Sequence, residues 1–181
     1  MIIGIAGKMG AGKDYLAEKF DVHELYHILH FADGVYDIAR NIFGMVVKNR
    51  ELLQQIGTKM REIDPRVWIK NTMEQAKRFK DVVIADVRYE GEIKAILDAG
   101  GKVIVLDVDD DLRKYRVEKR DGMRIHPYDW NKINNHSSET YIDKLIIDAQ
   151  SKIVSKHIMV ISGVIDIVDI YYMAYNFVTN Q

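Results

Sequence analysis

An α/β fold with a mostly parallel sheet is predicted by three features of the 181-residue chain. Apolar runs of strand length, rich in isoleucine and valine, alternate with segments of helical periodicity. The first run leads into a glycine-rich turn and then a helical pattern, the strand–turn–helix order of a phosphate-binding loop. Several runs are continuously apolar rather than alternating, as strands covered on both faces are. No internal repeat, low-complexity tract or linker divides the chain, so a single domain over residues 1–181 is expected.

The elements follow in order. Residues 2–6 read as a buried strand, and residues 15–20 carry apolar side chains at helical spacing. A second strand is expected over 25–32, where His27 and His30 are read as strand-packing residues because no further ligand is spaced to join them at a metal. Helices are expected over 35–43, 50–63 and 66–79, the last opened by Pro65, which needs no donor in a first turn. The third strand spans 81–86 and ends in Asp86-Val87-Arg88. A helix from Glu90 stops at Gly100-Gly101, and the fourth strand covers 102–107. The polar tract 109–135 holds Arg113, Arg116, Arg120 and Arg124, and reads as a charged helix followed by an irregular loop, the pattern of a mobile flap. Strand signals return at 145–147 and 157–161, before a helix over about 165–177.

Composition narrows the function classes. Hydrophobic residues reach 48%, enough for a sizeable core, and the net charge of −1 gives no basic field for a nucleic-acid polymer or a membrane. Without cysteine, disulfides and thiolate chemistry are excluded. No signal segment and no bilayer-length apolar run is read, so a cytoplasmic location is expected, the host cytoplasm for a viral chain.

Gly7-Lys8-Met9-Gly10-Ala11-Gly12-Lys13-Asp14 completes the pattern G-x-x-x-x-G-K. Its glycines let backbone N–H groups face phosphate oxygens at a helix N-terminus, and Lys13 would reach the β- and γ-phosphates of ATP. Gly7, Gly10, Ala11, Gly12, Lys13, Asp14 and Tyr15 are therefore the expected ATP-binding set. Asp14 stands where a Mg²⁺-ligating Ser or Thr is usual. Its carboxylate can hold Mg²⁺ or one of its waters, or favour the first helical turn through the dipole, and both roles stay open.

A phosphate loop alone does not separate kinases, GTPases and ATPase motors. Asp86 is followed by glycine only at position 91, so a GTPase switch is missing, and Asn131-Lys132-Ile133-Asn134 only approximates a base-reading motif. ATPase motors usually show an acidic pair after the third strand, where this chain has Val87 and Arg88. The strand end suits a kinase of small phosphorylated substrates. Asp86 would hold a Mg²⁺ water or a substrate hydroxyl beside the phosphate loop, while Arg88 binds the acceptor phosphate in bidentate fashion. A structural ion pair is the alternative reading of Asp86–Arg88.

With these residues placed, the chain resembles the bacteriophage-type deoxynucleoside monophosphate kinases. The resemblance rests on the Gly12-Lys13-Asp14 loop, Phe31-Ala32-Asp33-Gly34, and Leu53-Gln54-Gln55-Ile56-Gly57-Thr58 with Pro65-Arg66-Val67-Trp68-Ile69-Lys70. It continues with Asp86-Val87-Arg88 plus Glu92, and His136-Ser137-Ser138-Glu139. It implies a three-layer fold with a central, mostly parallel five-stranded sheet, a helical acceptor-binding region over about 33–80, and an arginine-rich lid over about 109–135. It also implies acceptor contacts from Ala32, Asp33, Gln54, Trp68, Lys70, Asp86, Arg88, Glu92, His136 and Glu139. For Trp68, base stacking and core packing both stay open. Two departures stand out: Gly34 replaces a proline, and the adenine turn has two candidates, 148–151 and Ser162-Gly163.

The reaction implied is transfer of the γ-phosphoryl of ATP to a (deoxy)nucleoside monophosphate, with Mg²⁺ held by Asp14 and Asp86. Lys13, Arg88, Arg116 and Arg120 are the expected catalytic residues. The expected partners are small-molecule nucleotides, with a homodimer left open. Kinases of phosphomevalonate or dephospho-coenzyme A, and a non-catalytic ATP-binding regulator, are the rival readings.

Overall fold

The computed structural model describes residues 1–135, 137–148, 157–163 and 167–179. Its centre is a parallel sheet of five strands: β1 (Ile2–Gly7), β2 (His27–Leu29), β3 (Val82–Val87), β4 (Lys102–Asp107) and β5 (Ile158–Ser162). The order β2–β3–β1–β4–β5 sets β1 in the middle, so the loop that follows it leaves the centre of the sheet's carboxyl edge. Ligands of open parallel sheets bind at that edge, where the strand order changes direction.

Both faces of the sheet are covered, which is why β1 is apolar throughout. Ile3 and Ile5 enter a core shared with Leu16 and Phe20 of α1 (Lys13–Glu24) and Ala174 of α9 (Ile167–Thr179). Ala6 faces the opposite core, with Ile93 and Ile96 of α5 (Glu90–Asp98) and Ile142 of α8 (Ser137–Asp148). A third, smaller core joins α2 (Asp33–Asn41), α3 (Arg50–Ile63) and α4 (Val67–Ala76) around Val35, Ala39, Ile56 and Trp68. That helical group occupies the region expected at 33–80. Among the described residues no helix is long and apolar enough to cross a membrane.

Pairing of β1 with β3 slips where the site begins. Gly4 pairs with Ile84 and Ala6 with Val87, so β3 takes one more residue than β1 over this step. Such an irregularity re-aims side chains at a strand end, and here it falls at Ala85 and Asp86.

Three expectations are corrected. The second strand is three residues long rather than eight. α1 runs to Glu24 and is closed by Leu25 in the left-handed region at φ 59°, and beyond Leu29 the N–H groups of Phe31 and Ala32 turn to the Asp86 carboxylate. The tract after the charged helix α6 (Asp110–Asp121) is not irregular throughout: Pro127–Asn134 forms α7, with Trp130 buried at 4% exposure. Pro127 stands at the first helical position, where its ring is tolerated, and the Trp130 indole N–H donates to Asp110 Oδ2 at 2.9 Å. Residues 145–147 belong to α8, not to a strand. Ile142, Leu145 and Ile146 share one buried helical face while Ile147 is 64% exposed, a pattern that a run of three apolar residues does not distinguish from a strand.

Candidate active site

Lys13 is the first residue of α1, and Gly12 before it takes φ 95° to turn the loop into the helix. The Lys13 side chain is 7% exposed, and its ammonium donates to the Gly7 carbonyl at 2.8 Å and the Lys8 carbonyl at 3.0 Å. Burial, followed by the like charge of Arg88, lowers its pKa to about 8. A phosphate anion at this point favours the charged amine again.

The crest of the loop is packed from outside. The Met9 N–H donates to Glu139 Oε2 at 2.8 Å, and its carbonyl accepts from Arg113 Nη1 at 3.0 Å. α6 lies directly on Gly10, where an added Cβ would stand 2.6 Å from the Arg113 carbonyl oxygen. The first turns of the tract expected to form a lid are thus seated on the loop. Asn131 and Asn134, the ends of the near-match to a base-reading motif, lie in α7, and Asn134 Oδ1 accepts from Arg113 Nη2 at 3.1 Å.

Asp86 ends β3 and bridges to the turn after β2. Its Oδ1 accepts from Phe31 N–H at 2.6 Å and its Oδ2 from Ala32 N–H at 3.0 Å. Burial pushes its carboxyl pKa up, opposed by nearby His30 and by these two amides. His30 lies between Asp14 and Asp33, at 3.6 Å and 3.5 Å, and these carboxylates hold the imidazole protonated with its pKa raised to about 10. The same contact lowers the pKa of Asp14. Arg88 donates to Glu139 Oε1 at 2.8 Å, while its own N–H donates to Glu92 Oε2 at 2.7 Å.

A cleft of about 950 Å³ opens at this edge. It brings together Gly10, Gly12, Lys13, Asp14, Tyr15, Ala32, Asp33, Asp86, Arg88, Arg116 and Arg120 from the expected set. Gly7 lies against the β4 backbone and Ala11 is buried, both behind the cleft wall. Arg116 Nη1 reaches the Ala11 carbonyl at 3.5 Å, and Arg120 is paired with Asp121 at 2.8 Å. Of the other arginines in that tract, Arg113 is 2% exposed beneath the loop and Arg124 does not line the cleft.

Other expected residues stand outside the cleft. Trp68 is 4% exposed in the third core, and its indole N–H donates to the Gly57 carbonyl at 3.2 Å, so it packs rather than presents a stacking face. Gln54 is exposed on α3, and Lys70 pairs with Asp64 at 2.5 Å. Glu92 is 4% exposed and accepts from the Arg88 and Tyr89 amides, which caps α5. Glu139 is buried beneath the loop crest. His136 lies outside the described residues, as do 149–151 of the first adenine candidate, whose preceding strand is the helix α8. The rival, Ser162-Gly163, lies at the end of β5, with Ser162 its last residue, and Ser162 Oγ donates to Asp107 Oδ2 at 3.0 Å.

The cleft also holds residues that the sequence reading missed: His30, Tyr36, Asp37, Arg40, Lys48, Arg50 and Gln75. Part of the signal was present. Asp33, Tyr36, Asp37 and Arg40 recur at one helical face of α2, a polar stripe at i, i+3, i+4 and i+7. No comparable period marks Lys48 and Arg50. Among the described residues no group of three or more His, Asp or Glu gathers into a metal cage. Mg²⁺ is usually bound by one or two carboxylates together with substrate phosphates and waters, and Asp14 and Asp86 on the cleft fit that donor set.

Residues 3–142 match the family model described as an AAA domain, AAA_18. The chain belongs to the AAA_18 family. Two curated relatives come from Ictalurid herpesvirus 1 (strain Auburn). The uncharacterized protein ORF76 is 31% identical over 117 residues, 58% of this chain and 47% of that protein. The uncharacterized protein ORF77 is 26% identical over 112 residues, 58% of this chain and 49% of that protein. The chain therefore spans about half the length of the curated relatives it matches.

Among solved structures, this AAA_18 chain is similar to a shikimate kinase from Acinetobacter baumannii in complex with shikimate, at TM-score 0.60 and 16% identity, over 97% of this chain and 90% of that one. It is also similar to TT1252 from Thermus thermophilus, at TM-score 0.58 and 15% identity over 100% and 98%. A gluconokinase from Sinorhizobium meliloti 1021 gives 0.53 and 14%, over 97% and 90%. At these identities the likeness establishes the fold alone, a five-stranded parallel sheet flanked by helices.

Proposed function

We propose that this chain transfers the γ-phosphoryl group of ATP to the 5′-phosphate of a deoxynucleoside monophosphate, giving ADP and the diphosphate. The observation that carries the reading is the charge of the cleft. Eight cationic side chains line it (Lys13, protonated His30, Arg40, Lys48, Arg50, Arg88, Arg116 and Arg120) against four carboxylates (Asp14, Asp33, Asp37 and Asp86), with Glu139 pairing Arg88 and Asp121 pairing Arg50 and Arg120 from outside the cleft, although the whole chain has a net charge of −1. The excess lies on both the P-loop side and the helical side, so it suits two phosphorylated substrates better than ATP and a neutral alcohol.

Phosphoryl transfer asks for positioning and charge stabilisation more than for covalent chemistry. An oxygen of the acceptor phosphate forms a bond to the γ-phosphorus as the bond to the β–γ bridging oxygen breaks, and ADP leaves with that electron pair. Lys13 and the loop amides would hold the β- and γ-phosphates. Arg88 would orient the acceptor phosphate, and Arg116 and Arg120 would face the transferring group from α6. Asp14 and Asp86 would hold Mg²⁺, which neutralises polyphosphate charge when bound.

One observation favours a second reading, a kinase of another small phosphorylated substrate such as phosphomevalonate or dephospho-coenzyme A. Trp68 and Gln54, the two residues expected to read a base, do not line the cleft. The test is an acceptor panel with ATP: deoxy- and ribonucleoside monophosphates, phosphomevalonate, dephospho-coenzyme A, shikimate and gluconate. Diphosphate with nucleoside monophosphates is expected. Turnover of only one of the other phosphorylated acceptors selects the second reading, turnover of shikimate or gluconate alone overturns both, and ATP binding without any product selects a regulator.

A further inference from the structure

The peptide of Met9, at the crest of the P-loop, is held from both sides. Its N–H donates to Glu139 Oε2 and its carbonyl accepts from Arg113 Nη1, at 2.8 Å and 3.0 Å. Both side chains are 2% exposed, and neither lines the cleft. They differ in what else they touch. The second oxygen of Glu139 accepts from Arg88 Nη1 at 2.8 Å, and Arg88 does line the cleft. One buried carboxylate therefore spans the donor loop and the arginine assigned to the acceptor. Arg113 is fixed instead by the lid tract: Nη2 pairs with Asp110 and with Asn134 Oδ1, and its guanidinium lies 5.3 Å from the Trp130 ring centroid.

We propose that Glu139 is a positioning residue that sets the spacing between the P-loop crest and Arg88, while Arg113 fixes the crest alone. The acceptor half of this inference rests on the function proposed above; the P-loop half does not. Glu139 can do this because a carboxylate accepts at both oxygens, and charge-assisted hydrogen bonds are strong in a buried setting. The consequence is a coupling of sites. A displacement of Glu139 moves the donor loop and the acceptor arginine together, and phosphoryl transfer tolerates little displacement.

Calorimetry on the full chain tests this, with ATP and a deoxynucleoside monophosphate titrated separately. Glu139→Gln keeps the volume but places an NH₂ where one of two donors must be accepted. It is expected to weaken ATP and monophosphate binding each by roughly tenfold. Arg113→Lys keeps a charge near Met9 but loses the fork, so ATP binding weakens by a similar factor while monophosphate binding stays within about twofold. Should Glu139→Gln fail to fold, Glu139→Asp, which shortens the reach, carries the same expectation. The proposal is overturned if Glu139→Gln lowers only the melting temperature, or if Arg113→Lys weakens monophosphate binding as much as Glu139→Gln does. If the wild-type chain binds and phosphorylates no monophosphate, the proposed function fails, and the acceptor half falls with it. The ATP titrations then decide the grip on Met9, which unchanged affinity in both variants would overturn.

Discussion

At Gly10 the chain has φ 83°, and a Cβ would meet the Arg113 carbonyl oxygen at 2.6 Å and a Val117 methyl at 3.0 Å. The left-handed region costs a non-glycine residue roughly 1–2 kcal/mol, and the clash is with backbone that cannot swing aside. Gly10→Ala is therefore expected to lower the melting temperature and weaken ATP binding by roughly tenfold, because α6 and the loop cannot both keep their places. Unchanged ATP affinity in a titration would show that α6 is free to move off the loop. Gly34 of α2 shows the same logic in the helical group. A Cβ there would stand 2.7 Å from Asn71 Nδ2 and 3.0 Å from the Trp68 ring, so the departure from proline goes with a buried Trp68 filling that space. Sequence alone left Trp68 divided between stacking and packing, since a tryptophan in a helix carries no mark of which way it points. His30 was misread for a related reason. Its partners Asp14 and Asp33 join it only once β2 ends early.

At the scale of elements, α5 shows how a cap can depend on pH. Glu92 accepts the Arg88 and Tyr89 amides at 2.7 Å and 3.0 Å, yet its burial raises its pKa from the ordinary 4.5 to about 7. Between those values the folded chain holds a proton that the unfolded chain has released, so this group makes the fold less stable as pH rises through the window. Glu92→Gln removes that dependence. Denaturant unfolding of both proteins at about pH 5 and about pH 8 should show the wild type losing ground to the Gln variant at the higher pH. Equal changes in the two proteins would mean that Glu92 titrates normally.

Long elements were legible in sequence: α3 covers residues 50–63 as the periodicity predicts, and β1, β3, β4 and β5 fall within one residue at either end of their expected spans. Short apolar runs were not. Leu145 and Ile146 serve a buried helix face because Ile142 lies one turn before them, and α7 is set by Trp130 reaching Asp110, a contact across the tract that local propensity does not encode.

In the whole molecule, the order β2–β3–β1–β4–β5 brings the P-loop, the β3 end and α2 to one carboxyl edge. The P-loop and the Asp86–Arg88 strand end were readable because each is contiguous in sequence and its chemistry is tied to a strand end. The opposite wall was only partly readable, because Arg40, Lys48 and Arg50 come from two helices and their connection, and meet the loop only when the third core packs. The same assembly is what concentrates cations in a nearly neutral chain, and it underlies the claim that ATP passes its γ-phosphoryl to a phosphorylated acceptor. The most direct test follows the label from [γ-³²P]ATP in a single turnover with a deoxynucleoside monophosphate, using the wild type and Lys13→Ala. The expected result is label in the deoxynucleoside diphosphate with the wild type, none with Lys13→Ala, and the same circular-dichroism spectrum for both. Label appearing only as inorganic phosphate, or equal transfer by Lys13→Ala, would contradict it.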